Sequence, residues 1–148
     1  MTAMPRTVER LYTRRAYIGA SLALLAGCAA PPKEPPPKPF VGTTWEVVLE
    51  LPLPGEPPHM RFGDGRVEGF GGCNRFTAEY LRDSVGARAI AIRRIEIDRR
   101  LCDAGPRLAE ARMLEVLQSA SSYSVTGSVL TMSGSGGTLR LRAVEAKK

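Results

Sequence analysis

The sequence predicts a mainly β domain, either a small barrel or a strongly bent antiparallel sheet, with one α-helix packed against it. Three observations lead there. Apolar and polar residues alternate in seven or eight short runs separated by glycine-rich turns. A single segment, Pro106 to Ala120, changes to a helical period. Gly69-Phe70-Gly71-Gly72-Cys73-Asn74-Arg75-Phe76 places three glycines within four positions, the mark of a tight bend or close backbone approach at a strand end.

The folded part is expected to begin near Phe40. Trp45, Val47, Leu49 and Leu51 alternate with Glu46, Val48 and Glu50, as in a half-buried strand. A loop broken by proline and glycine follows, Pro52 to Pro58. Met60-Arg61-Phe62 and Arg66-Val67-Glu68 flank Gly63-Asp64-Gly65, a hairpin signal because such turns need positive φ. Phe76 to Tyr80 forms the next strand, and Ile90 and Ile92 continue the pattern. After Arg93-Arg94 the parity flips to Ile95 and Ile97, which predicts a bulge or break.

In the helical segment, Ala109, Met113, Val116, Leu117 and Ala120 share one face. Glu110, Arg112, Glu115 and Gln118 are assigned to the wet side. Pro106 suits the first turn, with Asp103 or Gly105 as the cap. Three strands close the chain: Tyr123 to Val125, Val129 to Met132 and Thr138 to Ala143. Trp45, Phe62, Phe70, Phe76, Tyr80 and helix residues such as Leu117 are the predicted core.

The N-terminus has its own logic. Arg6, Arg10, Arg14 and Arg15 precede a short apolar run, Ala16 to Leu25, in the order of an export signal. At about ten residues the run is well short of the roughly 20 needed to span a bilayer. Leu25-Ala26-Gly27-Cys28 resembles the bacterial lipobox, which implies a lipidated Cys28 after removal of residues 1–27. Arg14-Arg15 fits either a twin-arginine signal or the general secretion route. Residues 28–39 form a proline-rich tether, extended at about 3.1 Å per residue. The folded domain is expected over residues 40–148.

The chain carries 21 basic and 15 acidic side chains. Removing the four leader arginines and Glu9 leaves 17 against 14, a net of +3. That is a mixed surface rather than a nucleic-acid footprint, and Arg93-Arg94 and Arg99-Arg100 lack interleaved aromatics. Beyond Cys28, Cys73 and Cys102 remain as one even pair in an oxidising compartment. A bridge would close a loop of about 30 residues and contribute roughly 3–4 kcal/mol. Two buried free thiols are the alternative.

The glycine-rich run resembles the META/HslJ domain family, small bacterial envelope domains often carried by lipoproteins. The motif residues are Gly72, Cys73, Asn74, Arg75 and Phe76, followed by Ala78 and Tyr80. Cys102, a helix and closing strands come in the family's order, over roughly residues 42 to 143. Ala78 stands where the family usually has glycine, and Asp98 where it often has threonine. The resemblance implies a lipocalin-like β-barrel with one packed helix and loose links to envelope stress.

No catalytic, metal or cofactor residues are assigned. The one histidine, His59, sits in a Pro-Pro-His run and is taken as a loop residue, and a Cys73–His59 couple would oxidise. The carboxylates show no calcium-loop spacing and no zinc set exists. Asn74 and Arg75 are the polar residues of interest. Asn74 either braces the bend through its side chain or, with Arg75, merely forms the turn. The expected function is a lipid-anchored interaction module with an envelope protein partner, linked to envelope stress or integrity, and the alternative is a barrel holding a small apolar ligand. The expected setting is a monomer facing the periplasm from the outer membrane.

Overall fold

The computed structural model describes residues 35–83 and 88–145, within one compact unit, Lys33–Lys148. The expected leader, its paired arginines, Cys28 and the first part of the tether lie outside the described residues. Eight strands and one helix follow in order: β1 Thr44–Val47, β2 His59–Phe62, β3 Arg66–Phe70, β4 Arg75–Arg82, β5 Ile90–Ile97, α1 Ala104–Ser119, β6 Ala120–Thr126, β7 Val129–Gly134 and β8 Gly137–Val144.

The strands form a single antiparallel sheet in the order β5-β4-β3-β2-β1-β8-β7-β6. Its two outer strands nearly meet. Ala89 bridges Ser122, and the Tyr123 N–H donates to the Arg88 carbonyl at 2.9 Å. The sheet is therefore a nearly closed eight-stranded barrel, of the two architectures predicted. Helix α1 links β5 to β6 and rests on β5, β7 and β8.

Inward positions follow the period of two. Trp45 and Val47, Met60 and Phe62, Phe76, Ala78 and Tyr80, Leu130 and Met132, and Leu139 and Leu141 are all buried. From α1, Met113, Val116 and Leu117 complete the same core. Trp45, Phe62 and Leu117 are fully buried and Tyr80 nearly so. Ala78, opposite Val67, is an inward small residue in a crowded stretch of barrel wall.

The parity flip in β5 is a bulge. Thr77 pairs Glu96 and Glu79 pairs Arg93, so β5 spends one extra residue there, and Arg94 takes φ 51°. Elsewhere the strand reading needs correction. β1 ends at Val47, and Leu51, assigned inward, is 79% exposed. The reason is proline: the Val47 N–H donates to Pro58 O at 2.8 Å, but Pro58 has no N–H to return. His59 opens β2 rather than lying in the loop. The helix begins at Ala104, with Asp103 at the N-cap position but making no side-chain capping bond.

The two barrel ends differ. At one end α1 meets the β3–β4 and β7–β8 turns, where the Gly136 N–H donates to Ser119 Oγ at 2.8 Å. At the other, the N-terminal segment crosses the mouth. The Lys38 N–H donates to Gly127 O at 2.8 Å and the Gly42 N–H to Phe62 O at 2.9 Å. The Trp45 indole Nε1–H donates to Phe40 O at 3.1 Å from inside the barrel. Replacing Trp45 by Phe removes that donor and some core volume. The expected loss is about 1–3 kcal/mol, with hydrogen exchange rising first at Lys38 and Gly42. Uniform protection changes across the barrel would count against this coupling.

Candidate functional site

The glycine-rich turn between β3 and β4 is clasped to the helix by a buried carboxylate. Asn74 and Glu110 are each only 6% exposed. The Asn74 backbone N–H donates to Glu110 Oε2 at 2.5 Å, and Asn74 Nδ2 donates to Glu110 Oε1 at 2.9 Å. Nδ2 also approaches Cys73 Sγ at 3.2 Å. Asn74 Oδ1 accepts from the Arg100 N–H at 2.7 Å, and Asn74 O from the Gly71 N–H at 2.8 Å. One side chain thus joins the turn, the helix and the segment that precedes it.

The turn is shaped for this approach. A Cβ at Gly71 would sit 2.7 Å from both Cγ and Oε2 of Glu110, so any side chain there displaces the carboxylate. Gly72 has φ +106°, a backbone conformation that favours glycine. Cys73 and Cys102 form a disulfide across Cα atoms 5.8 Å apart, which resolves the choice between bridge and free thiols. The covalent link ties the turn to the segment just before α1, and the carboxylate clasp ties it to α1 itself. Asn74 does brace the bend, and its main partner is Glu110, which the sequence reading had put on the wet side. The signal was present: Glu110, Met113 and Leu117 stand at i, i+3 and i+7 on one helical face.

The opposite mouth is an aromatic box. Phe62 from β2, Tyr80 from β4 and Tyr123 from β6 surround the buried ring of Phe40. The Tyr80 hydroxyl donates to Gly63 O at 2.5 Å. Arg82 lies over the Phe40 ring and donates from Nη1 to Tyr123 Oη at 3.1 Å. That hydrogen bond holds the Arg82 guanidinium above its ordinary value, and a guanidinium is cationic at physiological pH without any shift.

The remaining predicted residues are peripheral to both places. Arg75 opens β4 on the exposed outer face. Asp98 faces Arg100 at 3.9 Å on the surface. His59 Nδ1 lies 3.0 Å from Pro57 O, and its Nε2 3.7 Å from Glu56. Among the described residues no group of three or more His, Cys, Asp or Glu is placed to hold a metal. Five concavities of about 300–420 Å³ are open surface grooves, three of them bordered by Arg61.

Two outcomes test the clasp. Glu110→Ala strands two buried Asn74 donors and is expected to cost roughly 2–3 kcal/mol, whereas Glu115→Ala, at an exposed pair with Arg112, should stay within about 0.5 kcal/mol. Equal urea midpoint shifts for the two variants would refute the distinction. Reduction of the disulfide should remove roughly 3–4 kcal/mol and lower Tm by on the order of 15 °C. A melt indifferent to reductant would show that the bridge does not constrain the unfolded chain.

Comparison with known proteins places this geometry. No curated protein matches the sequence. Among solved structures, a protein from Burkholderia xenovorans studied by NMR is similar at 16% identity, with a TM-score of 0.60 over 79% of this chain and 99% of that one. A second NMR structure is 20% identical, with a TM-score of 0.55 over 68% of this chain and 87% of that one. A DUF4847-family protein from Bacteroides vulgatus ATCC 8482 is 16% identical, with a TM-score of 0.51 over 74% of this chain and 96% of that one. At these identities the likeness is one of fold. The META domain model matches residues 38–147, every strand of the barrel and its helix included, and the chain belongs to the META domain family.

Proposed function

We propose that this chain is a non-catalytic binding barrel of the bacterial cell envelope, whose cargo is a small apolar ligand held at the barrel mouth. One observation carries the reading: three strands supply an aromatic box that is filled, among the described residues, by Phe40, a residue of the non-strand N-terminal segment. Eight strands give an interior just wide enough for side chains or one small ligand. Below the mouth, Trp45, Met60, Leu130 and Leu141 already fill the space. A ligand therefore has the mouth and little more.

The envelope setting rests on the leader and on Leu25-Ala26-Gly27-Cys28. Acyl groups on Cys28 would hold the domain to a membrane, since two chains anchor stably where one slips off. Among the described residues no helix is long and apolar enough to cross a bilayer. Pro35 to Pro39, exposed and without regular structure, would stand the barrel off the lipid.

A second reading, an interaction module serving envelope integrity, is favoured by a different surface. Leu101 is fully exposed just before α1, and Leu108 is 72% exposed on the crest of the helix facing away from the core. Arg99, Arg100 and Arg107 adjoin them in sequence, so an envelope protein with an apolar patch and acidic rim would fit.

Two measurements decide. The fluorescent apolar probe N-phenyl-1-naphthylamine should bind the full chain saturably, and binding should survive Leu101→Ser with Leu108→Ser. No binding would sink the ligand reading, and loss of cross-linked envelope partners in the leucine variant would then support the second. Cys28→Ser should move the protein from the membrane pellet to the soluble fraction; unchanged membrane association after a salt wash would refute the anchor.

A further inference from the structure

We infer that the barrel mouth is a binding site for a single planar aromatic group, and that Phe40 occupies it as a tethered competitor. This inference rests on the ligand-binding reading and names its site and ligand class. The Phe40 ring is held as a bound ligand would be. Its centroid lies 4.2 Å from that of Phe62, 4.7 Å from that of Tyr123 and 5.8 Å from that of Tyr80, the last edge-on. Phe62 and Tyr80 themselves meet at 87° with centroids 5.2 Å apart. The two nearer rings lie tilted to Phe40, by 32° and 46°, and Tyr80 meets it edge-on at 66°, so the occupant is packed by aromatic rings from three strands.

Arg82 sharpens the selection. Its guanidinium carbon lies 5.1 Å from the Phe40 centroid, and the Tyr123 hydroxyl fixes its orientation. A cation over a ring face is attracted by the aromatic quadrupole and gains nothing comparable from a saturated ring of the same size. An acyl chain would forfeit that contact along with the ring-to-ring geometry. The box thus discriminates by electronic character as well as by shape.

The occupant can leave without unzipping the barrel. Phe40 precedes β1, which begins at Thr44. Its segment is held by the Lys38 and Gly42 amides, by the Trp45 indole on Phe40 O, and by the single bridge from Val41 to Phe62. Pro35, Pro36, Pro37 and Pro39 have no N–H with which to add further bonds. A free aromatic competes with Phe40 for the box, so its apparent affinity is its intrinsic affinity scaled by the fraction of molecules with the mouth open.

Calorimetric titration of the full chain with toluene, and with methylcyclohexane as the saturated control, tests this. Phe40→Ala removes the competitor and should tighten toluene binding by at least about tenfold relative to the unsubstituted chain. Toluene should bind this variant more tightly than methylcyclohexane, and adding Arg82→Gln should narrow the preference while the ring contacts of Phe62, Tyr80 and Tyr123 keep part of it. Phe40→Leu keeps an apolar plug but loses the ring, so it should fold and show a smaller gain. Toluene affinity unchanged in folded Phe40→Ala overturns the inference, as does an unchanged affinity in Phe40→Leu should the alanine variant not fold. Toluene binding that ignores both Phe40 variants would leave a ligand-binding barrel with its site elsewhere. An absence of toluene and naphthylamine binding in every variant would sink both ideas.

Discussion

The buried Glu110 carboxylate is the constraint on which the helix-capped end depends. Taking a carboxylate out of water is costly unless its oxygens find donors. Here both oxygens accept from one residue, Asn74, through its backbone N–H and its side-chain amide. The pairing is geometrically demanding, because it needs a bare backbone at Gly71 and a left-handed turn at Gly72. It is therefore satisfied only when α1 is seated in one register on the β3–β4 turn. A slipped helix would bury Glu110 without donors, so the polar pair specifies position where an apolar contact would tolerate sliding.

The disulfide acts on the same junction by a different route. Cys73 adjoins Asn74, and Cys102 directly follows Leu101 and Arg100, whose N–H is held by Asn74 Oδ1. The covalent link limits how far the turn and the segment before α1 separate in the unfolded chain, while the hydrogen bonds to Glu110 choose the angle at which α1 meets the turn. α1 connects the two outer strands, so its seat also governs how closely β5 approaches β6. Were the helix loose, those strands would present unpaired edges, which are prone to pairing with other chains. The bridge between Ala89 and Ser122 leaves little edge exposed at the mouth.

Much of the fold was legible because period-two alternation and turn glycines report local geometry directly. The bulge at Arg93-Arg94 was readable from a change of parity alone, and the helix from its period. The error at Leu51 has a physical cause that alternation does not encode. β1 kept its apolar rhythm beyond the point where its partner strand could supply donors, because Pro57 and Pro58 precede His59. Glu110 was misplaced for the opposite reason. Its phase was right for the core, and only its residue type argued for water. The rule that carboxylates are solvated fails where a glycine turn brings two donors to them, a tertiary fact that spacing within the helix does not contain. The aromatic box was invisible for a related reason: Phe62, Tyr80 and Tyr123 belong to three different strands, and Phe40 to none.

The two ends of the barrel obey different physics, and that asymmetry decides where binding can occur. At the helix end, a covalent bridge and a buried polar network must all be undone before the interior opens. At the mouth, the closure is a single aromatic side chain on a segment with few backbone bonds, held by ring contacts and by the hydrogen bonds of Lys38, Gly42 and Trp45. Local opening free energies follow such contact density, so fluctuation concentrates at the mouth. A barrel whose wall positions are filled by its own side chains has no deep chamber to offer. What it can offer is the place where its filling is held most weakly.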